Sequence, residues 1–161
     1  MEKTQSKRRW IEPEIFHCII KHTPLVSIDI IIRNKEGKYL LGLRKNRPAK
    51  GFWFVPGGRI FKGETIEEAF RNITRNELGI EFNKSDAKFL GVFEHFYDDN
   101  FFGEDTGTHY IVNAFLLEIG DVELKPDIQH EAFRWATREE ILSDNKVHEY
   151  CKDYFRKNLH Y

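Results

Sequence analysis

The chain has 161 residues, of which 40% are hydrophobic and 32% charged, and its formal net charge is -1. That length suits one domain with a real core and excludes two ordinary ones, and so even a charge balance offers no basic field for nucleic acid. No stretch approaches the ~20 apolar residues of a membrane span. The start, Met1 to Arg9, has the charge of a leader's first segment, but Trp10-Ile11-Glu12-Pro13-Glu14 puts charge where the apolar segment of a leader belongs. Cys18 and Cys151 lack a CxxC spacing, which argues against structural zinc and a disulfide framework and fits a reducing, cytoplasmic setting.

Pro13 to Lys21 reads as a short amphipathic helix, with Ile15, Phe16, Ile19 and Ile20 on one face and Pro24 as its stop. Leu25 to Arg33 is a strand rich in β-branched residues with Asp29 embedded in it. The turn Asn34 to Gly37 returns the chain as a second strand, Lys38 to Arg44. A loop from Lys45 to Gly51 leads to Trp53-Phe54-Val55 and then Pro56-Gly57-Gly58, with Trp53 and Phe54 read as core. Thr65 to Leu78 is a helix opened by a Thr65/Glu68 capping box and closed by Gly79. Lys88 to Tyr97 and Thr108 to Ile119 are strands flanking a polar, acidic loop, Asp98 to Gly107, long enough to bind something. Phe133 to Ala136 is a short strand, Thr137/Glu140 caps another helix, and a last helix runs from Asn145 to the end. The order gives an α+β domain with helices on both faces of a mixed β-sheet. It is a single domain over 1-161 with an N-terminal helical extension over about 1-22.

The central helix carries the chemical signal. Ile66, Phe70 and Ile73 form its apolar stripe, and Glu77 falls within that stripe. A carboxylate on a core face must be paired, protonated or bound to metal. Gly58, five residues, Glu64, and then Glu77-Leu78-Gly79-Ile80 match the ends of the Nudix box. The middle departs from it: Asn72 stands for the Arg, Ile73 and Asn76 for two Glu, and Thr74 for the apolar position. Glu64 is a competing metal ligand, but a favourable charge beside a helix N-terminus is the preferred reading. One Mg²⁺ is what so depleted a helix supports, completed by carbonyls, water and substrate phosphates.

From about residue 10 to 150 the chain resembles a divergent Nudix branch, the GDP-mannose mannosyl hydrolases. The resemblance is carried by Thr23-Pro24-Leu25-Val26-Ser27, Asn46-Arg47-Pro48-Ala49, Trp53 to Arg59, Glu94 to Phe101, Thr108-His109-Tyr110 and Gln129-His130. It implies the Nudix fold, and Mg²⁺-dependent hydrolysis of GDP-mannose or GDP-glucose to GDP and free sugar, by water attack at the sugar C1 with inversion. It also implies the Gly57 carbonyl, Glu77 and Gln129 as ligands of one Mg²⁺, His130 as general base and Arg44 as diphosphate contact. Trp10, Ile11 and Phe16 fall where that family's N-terminal segment touches the nucleotide. A homodimer is implied in the same way.

Those roles agree with the chemistry. An inverting attack at carbon needs a base opposite the leaving group, and histidine suits that near neutrality. GDP needs charge neutralisation more than a proton, which Mg²⁺ and an arginine supply. Arg59 reads either as a phosphate contact or as a partner for a carboxylate. Asp29, His95 and Tyr110 read either as substrate contacts or as hydrogen-bonded structural residues, with His95 next in line as base after His130. Two alternatives remain at this level: an ordinary Nudix pyrophosphatase attacking phosphorus, and a non-catalytic Nudix-fold module that binds a nucleotide sugar.

Overall fold

The computed structural model describes residues 10–124 and 132–156. In chain order the elements are α1 (Pro13–His22), β1 (Leu25–Arg33), β2 (Tyr39–Leu43), β3 (Trp53–Phe54), β4 (Gly57–Arg59), α2 (Ile66–Leu78), β5 (Ala87–Tyr97), β6 (Thr108–Glu118), β7 (Phe133–Ala136), α3 (Arg138–Ser143) and α4 (Glu149–Arg156). One mixed sheet has the order β3-β2-β1-β6-β5, with β4 on β1 and β7 on β2. β1 and β6 run parallel over the whole length of β1. Helices pack on both faces of the sheet, as expected.

Alternation along β1 assigns the two faces. Ile28, Ile30 and Ile32 are fully buried and pack with Phe70, Ile73 and Leu78 of α2. Ile31 points the other way, into a core with Tyr39, Leu41, Phe54, Ile141, Tyr154 and Phe155 under α3 and α4. Both capping boxes form, at Thr65/Glu68 and Thr137/Glu140. Gly79 closes α2 in the left-handed region at φ 72°, a conformation that favours glycine.

Three expectations need correction. Ile66 is exposed, because it opens the first turn of α2, before the helix reaches the sheet; the buried stripe runs Ala69, Phe70, Ile73, Thr74, Glu77 and Leu78. The last helix begins at Glu149 rather than Asn145. Residues 145–148 lie against β3 instead, where Trp53 N–H donates to the Lys146 carbonyl and His148 N–H to the Trp53 carbonyl. A short 3-10 turn, Lys84–Asp86, precedes β5 where no element was expected. Among the described residues no helix is long and apolar enough to cross a membrane.

What matters for function is a split beside β1. Near the hairpin, β1 pairs with β2, Arg33 opposite Tyr39. Toward its start, residues 27–29 pair with β4 instead. β2 meanwhile continues against β3. Val55 and Pro56 carry the chain between the two partners, and Ile30 N–H donates to the Pro56 carbonyl at 2.8 Å. Glycine is required where β4 meets its neighbours. A Cβ on Gly57 would sit 2.4 Å from Asp29 Oδ1 and 2.6 Å from the Ile28 carbonyl oxygen, and one on Gly58 would be 3.0 Å from Ile73 Cγ1. Gly57→Ala should therefore destabilise the fold by about 2–3 kcal/mol, the cost of overpacking against backbone. Urea unfolding measures this; a change under about 0.5 kcal/mol would mean that β4 is not pressed onto β1.

Candidate active site

The split encloses a cavity of about 230 Å³. Ser27 and Asp29 line it from β1, Arg44, Lys45, Asn46 and Pro48 from the end of β2 and the following loop, and Gly57, Gly58 and Arg59 from β4. His95 and Tyr97 on β5 and Tyr110 on β6 complete the wall. Six residues singled out from the sequence thus meet in one place: Asp29, Arg44, Gly57, Arg59, His95 and Tyr110.

Asp29 is the one carboxylate among these lining residues. Burial pushes its carboxyl up to about 6 from the ordinary 3.8, opposed by a hydrogen bond donated by the Tyr154 hydroxyl and by the charge of Arg44. The Arg44 guanidinium is aimed by its Nε, which donates to the Pro48 carbonyl at 2.9 Å. Burial lowers the Arg59 pKa, and the neighbouring Tyr110 hydroxyl opposes this.

His95 is almost fully buried. Its ring stacks on Tyr150 at 4.5 Å, and its two nitrogens lie 3.4 Å from the hydroxyls of Tyr97 and Tyr154. Burial and then the positive charge of His148 push its pKa down to about 4, so the ring is neutral near pH 7. Both of its nitrogens are thus set toward tyrosine hydroxyls within the wall.

Glu77 is buried on α2, one turn beyond Ile73, the residue that touches β4. Glu64 is engaged locally: its carboxylate accepts from Phe61 N–H at 2.8 Å and from the Asn72 amide at 2.9 Å. Asn72 also accepts a hydrogen bond from Arg75. The residue standing where the Nudix box has Arg therefore still ties the helix to the loop before it. Phe16 lies under the Arg59 guanidinium rather than among the residues lining the cavity. Trp10 is 76% exposed and Ile11 partly exposed, and neither lines the cavity. Gln129 and His130 lie outside the described residues.

Sequence reasoning missed Tyr154, His148, Tyr150, Tyr97 and Lys45. Tyr154 and Asp29 are 125 positions apart, and nothing local to either announces the pairing. Lys45 opens the loop that runs to Gly51, and Tyr97 falls in the segment Glu94 to Phe101 that carries the resemblance, which are the signals the sequence held for them.

The NUDIX domain family model matches residues 23–156. A low-salt glycan biosynthesis protein of Haloferax volcanii is 40% identical over 124 residues, covering 77% of this chain and 78% of its own. An ADP-ribose pyrophosphatase of Methanocaldococcus jannaschii is 37% identical over 102 residues, 63% of this chain and 55% of its own. Among solved structures, a MutT NUDIX hydrolase from Burkholderia pseudomallei superposes with a TM-score of 0.69 at 25% identity, covering 84% of this chain and 98% of that one.

The buried carboxyl yields a signed prediction. Because the Asp29 pKa is raised in the folded state, the native protein holds a proton that the unfolded chain releases between about pH 4 and 6. The stability this contributes is present below that window and lost as pH rises through 6. Asp29→Asn should thus gain about 1 kcal/mol over the wild type between pH 5 and pH 8 in paired unfolding curves. A pH-independent difference would place Asp29 in a solvated setting.

Proposed function

The chain belongs to the Nudix domain family, and from that premise we propose that this Nudix hydrolase cleaves a GDP-sugar, GDP-mannose foremost, to GDP and the free sugar. The observation that carries the reading is the charge of the cavity: Arg44, Lys45 and Arg59 face it against the single carboxylate of Asp29. Such walls suit a diphosphate, with one acceptor left for a hydroxyl of the sugar. The Haloferax relative, named for glycan biosynthesis, supports a sugar nucleotide.

The donor set supports attack at carbon. Asn72, Ile73 and Asn76 stand where a Nudix box carries charge, and Glu64 is spent on Phe61 and Asn72. Among the described residues no group of three or more His, Cys, Asp or Glu could hold a metal. The Gly57 carbonyl and the Glu77 carboxylate are the oxygens we assign to a single Mg²⁺, both being hard donors, one on β4 and one on the buried face of the helix that packs against β4. Gln129 would complete the set. The ion's contribution when bound is to neutralise charge on the departing diphosphate.

The remaining steps belong to the chain's own residues. Arg44 and Arg59 bind the diphosphate and stabilise the charge that grows on it as the C1–O bond breaks. Asp29, anchored by Tyr154, orients the sugar, and Tyr110 fixes the surroundings of Arg59. His130 takes the proton of the attacking water on the face opposite GDP, which gives the inverted sugar. Neutral His95 holds the tyrosines of the wall and carries no proton in the step. A homodimer and a cytoplasmic setting are part of the proposal by family resemblance.

³¹P NMR of a reaction with GDP-mannose and Mg²⁺ tests the reading. GDP, with no sugar phosphate, is expected. GMP with mannose 1-phosphate would make the chain an ordinary pyrophosphatase, as the Methanocaldococcus relative is named, and intact but bound GDP-mannose would make it a binding module. Arg44→Gln should lower kcat/KM by roughly 10²–10³, the size of losing one preorganised anion donor. A loss under twofold in steady-state kinetics would remove Arg44 from the site.

A further inference from the structure

The family match begins at residue 23, so α1 (Pro13–His22) lies outside it, yet α1 reaches the cavity wall. The ring of Phe16 lies under the Arg59 guanidinium, 4.1 Å from ring centroid to Cζ, and Phe61 stands at 5.4 Å. The placement of Phe16 is itself fixed. Phe102 meets it edge-on at 5.8 Å and Phe101 lies at 6.3 Å, both from the loop between β5 and β6. His17, next in the helix, pairs through Nε2 with Asp105 of the same loop at 2.8 Å and packs on Phe102.

The kind of partner matters. A carboxylate beside Arg59 would spend its charge and its donor edge. An aromatic face attracts the cation through the ring quadrupole and leaves the in-plane N–H groups available. Among the described residues, burial and Tyr110 act on the guanidinium, and no carboxylate does. Among the described residues Arg59 is thus held by an aromatic face rather than by a carboxylate, which is what a pre-organised phosphate donor requires.

We propose that Phe16 is a positioning residue, which holds the Arg59 guanidinium in the cavity wall so that its N–H edge meets the phosphates of the ligand. This rests on the reading of the cavity as a diphosphate site, and it assigns α1 a role in binding through Arg59 rather than by touching the base. The loop between β5 and β6 serves the same end by clamping α1 in place.

Calorimetry with the full chain and Mg²⁺ tests it, using inorganic pyrophosphate and GDP as two separate probes. Phe16→Leu keeps the apolar bulk and loses the ring, and it should weaken both ligands about tenfold. Phe16→Tyr should restore both to within twofold, and Ile15→Ala, on an exposed position of the same helix, should change neither. In an Arg59→Gln background, Phe16→Leu should have no further effect. Wild-type affinity in Phe16→Leu or in Arg59→Gln would overturn the proposal. So would a loss confined to GDP that persists without Arg59, since that is the signature of a ring touching the base. If the wild type binds pyrophosphate but not GDP, the GDP-sugar reading fails and this inference stands on the pyrophosphate results. If it binds neither, both fall.

Discussion

Where β4 crosses β1, the two backbones are so close that a methyl group on Gly57 would sit 2.4 Å from a carboxylate oxygen of Asp29. On its other side the same short strand meets α2, with Ile73 at the limit of contact with Gly58. A segment three residues long is thus gripped between a central strand and a helix. That grip parts β1 from β2 and opens the cavity. Arg44 leaves the end of β2 on one side of the opening, and Arg59 leaves β4 on the other. The two cations thus reach the cavity from different strands, β2 and β4, on either side of the split.

The electrostatics of the cavity follow from the same enclosure. Burial lifts the Asp29 carboxyl to about 6 and lowers the His95 imidazole to about 4, so each is pushed toward its neutral form. Arg44 and the Tyr154 hydroxyl pull Asp29 back toward ionisation. The result is a wall in which Arg44 and Arg59 face a carboxyl and an imidazole that are each pushed toward the neutral form. A wall with two guanidinium groups and a single carboxylate suits an anion.

Much of this was legible in the sequence, for local reasons. Thr65 with Glu68 and Thr137 with Glu140 are complete cap signals within four residues, and both helices start there. Nine residues of β1 carry enough apolar character to declare a strand, and Asp29 within it is conspicuous. The split in the sheet was not legible, because β3 and β4 have two and three residues, too few for any period to show. Residues 145–148 read as helix because their composition permits it, and pairing with Trp53 overrides that. The partnership of Tyr154 with Asp29 spans most of the chain and depends wholly on the fold. Asn72 looked like a defect in a motif, and only the geometry shows its amide holding Glu64. For Phe16 the resemblance supplied the neighbourhood, and the structure supplied its partner, Arg59.

Attack of water at carbon is the proposal that follows from a donor set in which, among the described residues, no group of three or more His, Cys, Asp or Glu could hold a metal. Product identity alone does not decide this, because attack at the β-phosphorus would also release GDP and mannose. The decisive measurement is turnover of GDP-mannose in ¹⁸O-labelled water, with both products examined by mass spectrometry. Attack at C1 puts the label in mannose and leaves GDP unlabelled, and that is the result expected. Label in the β-phosphate of GDP, with unlabelled mannose, would contradict attack at carbon.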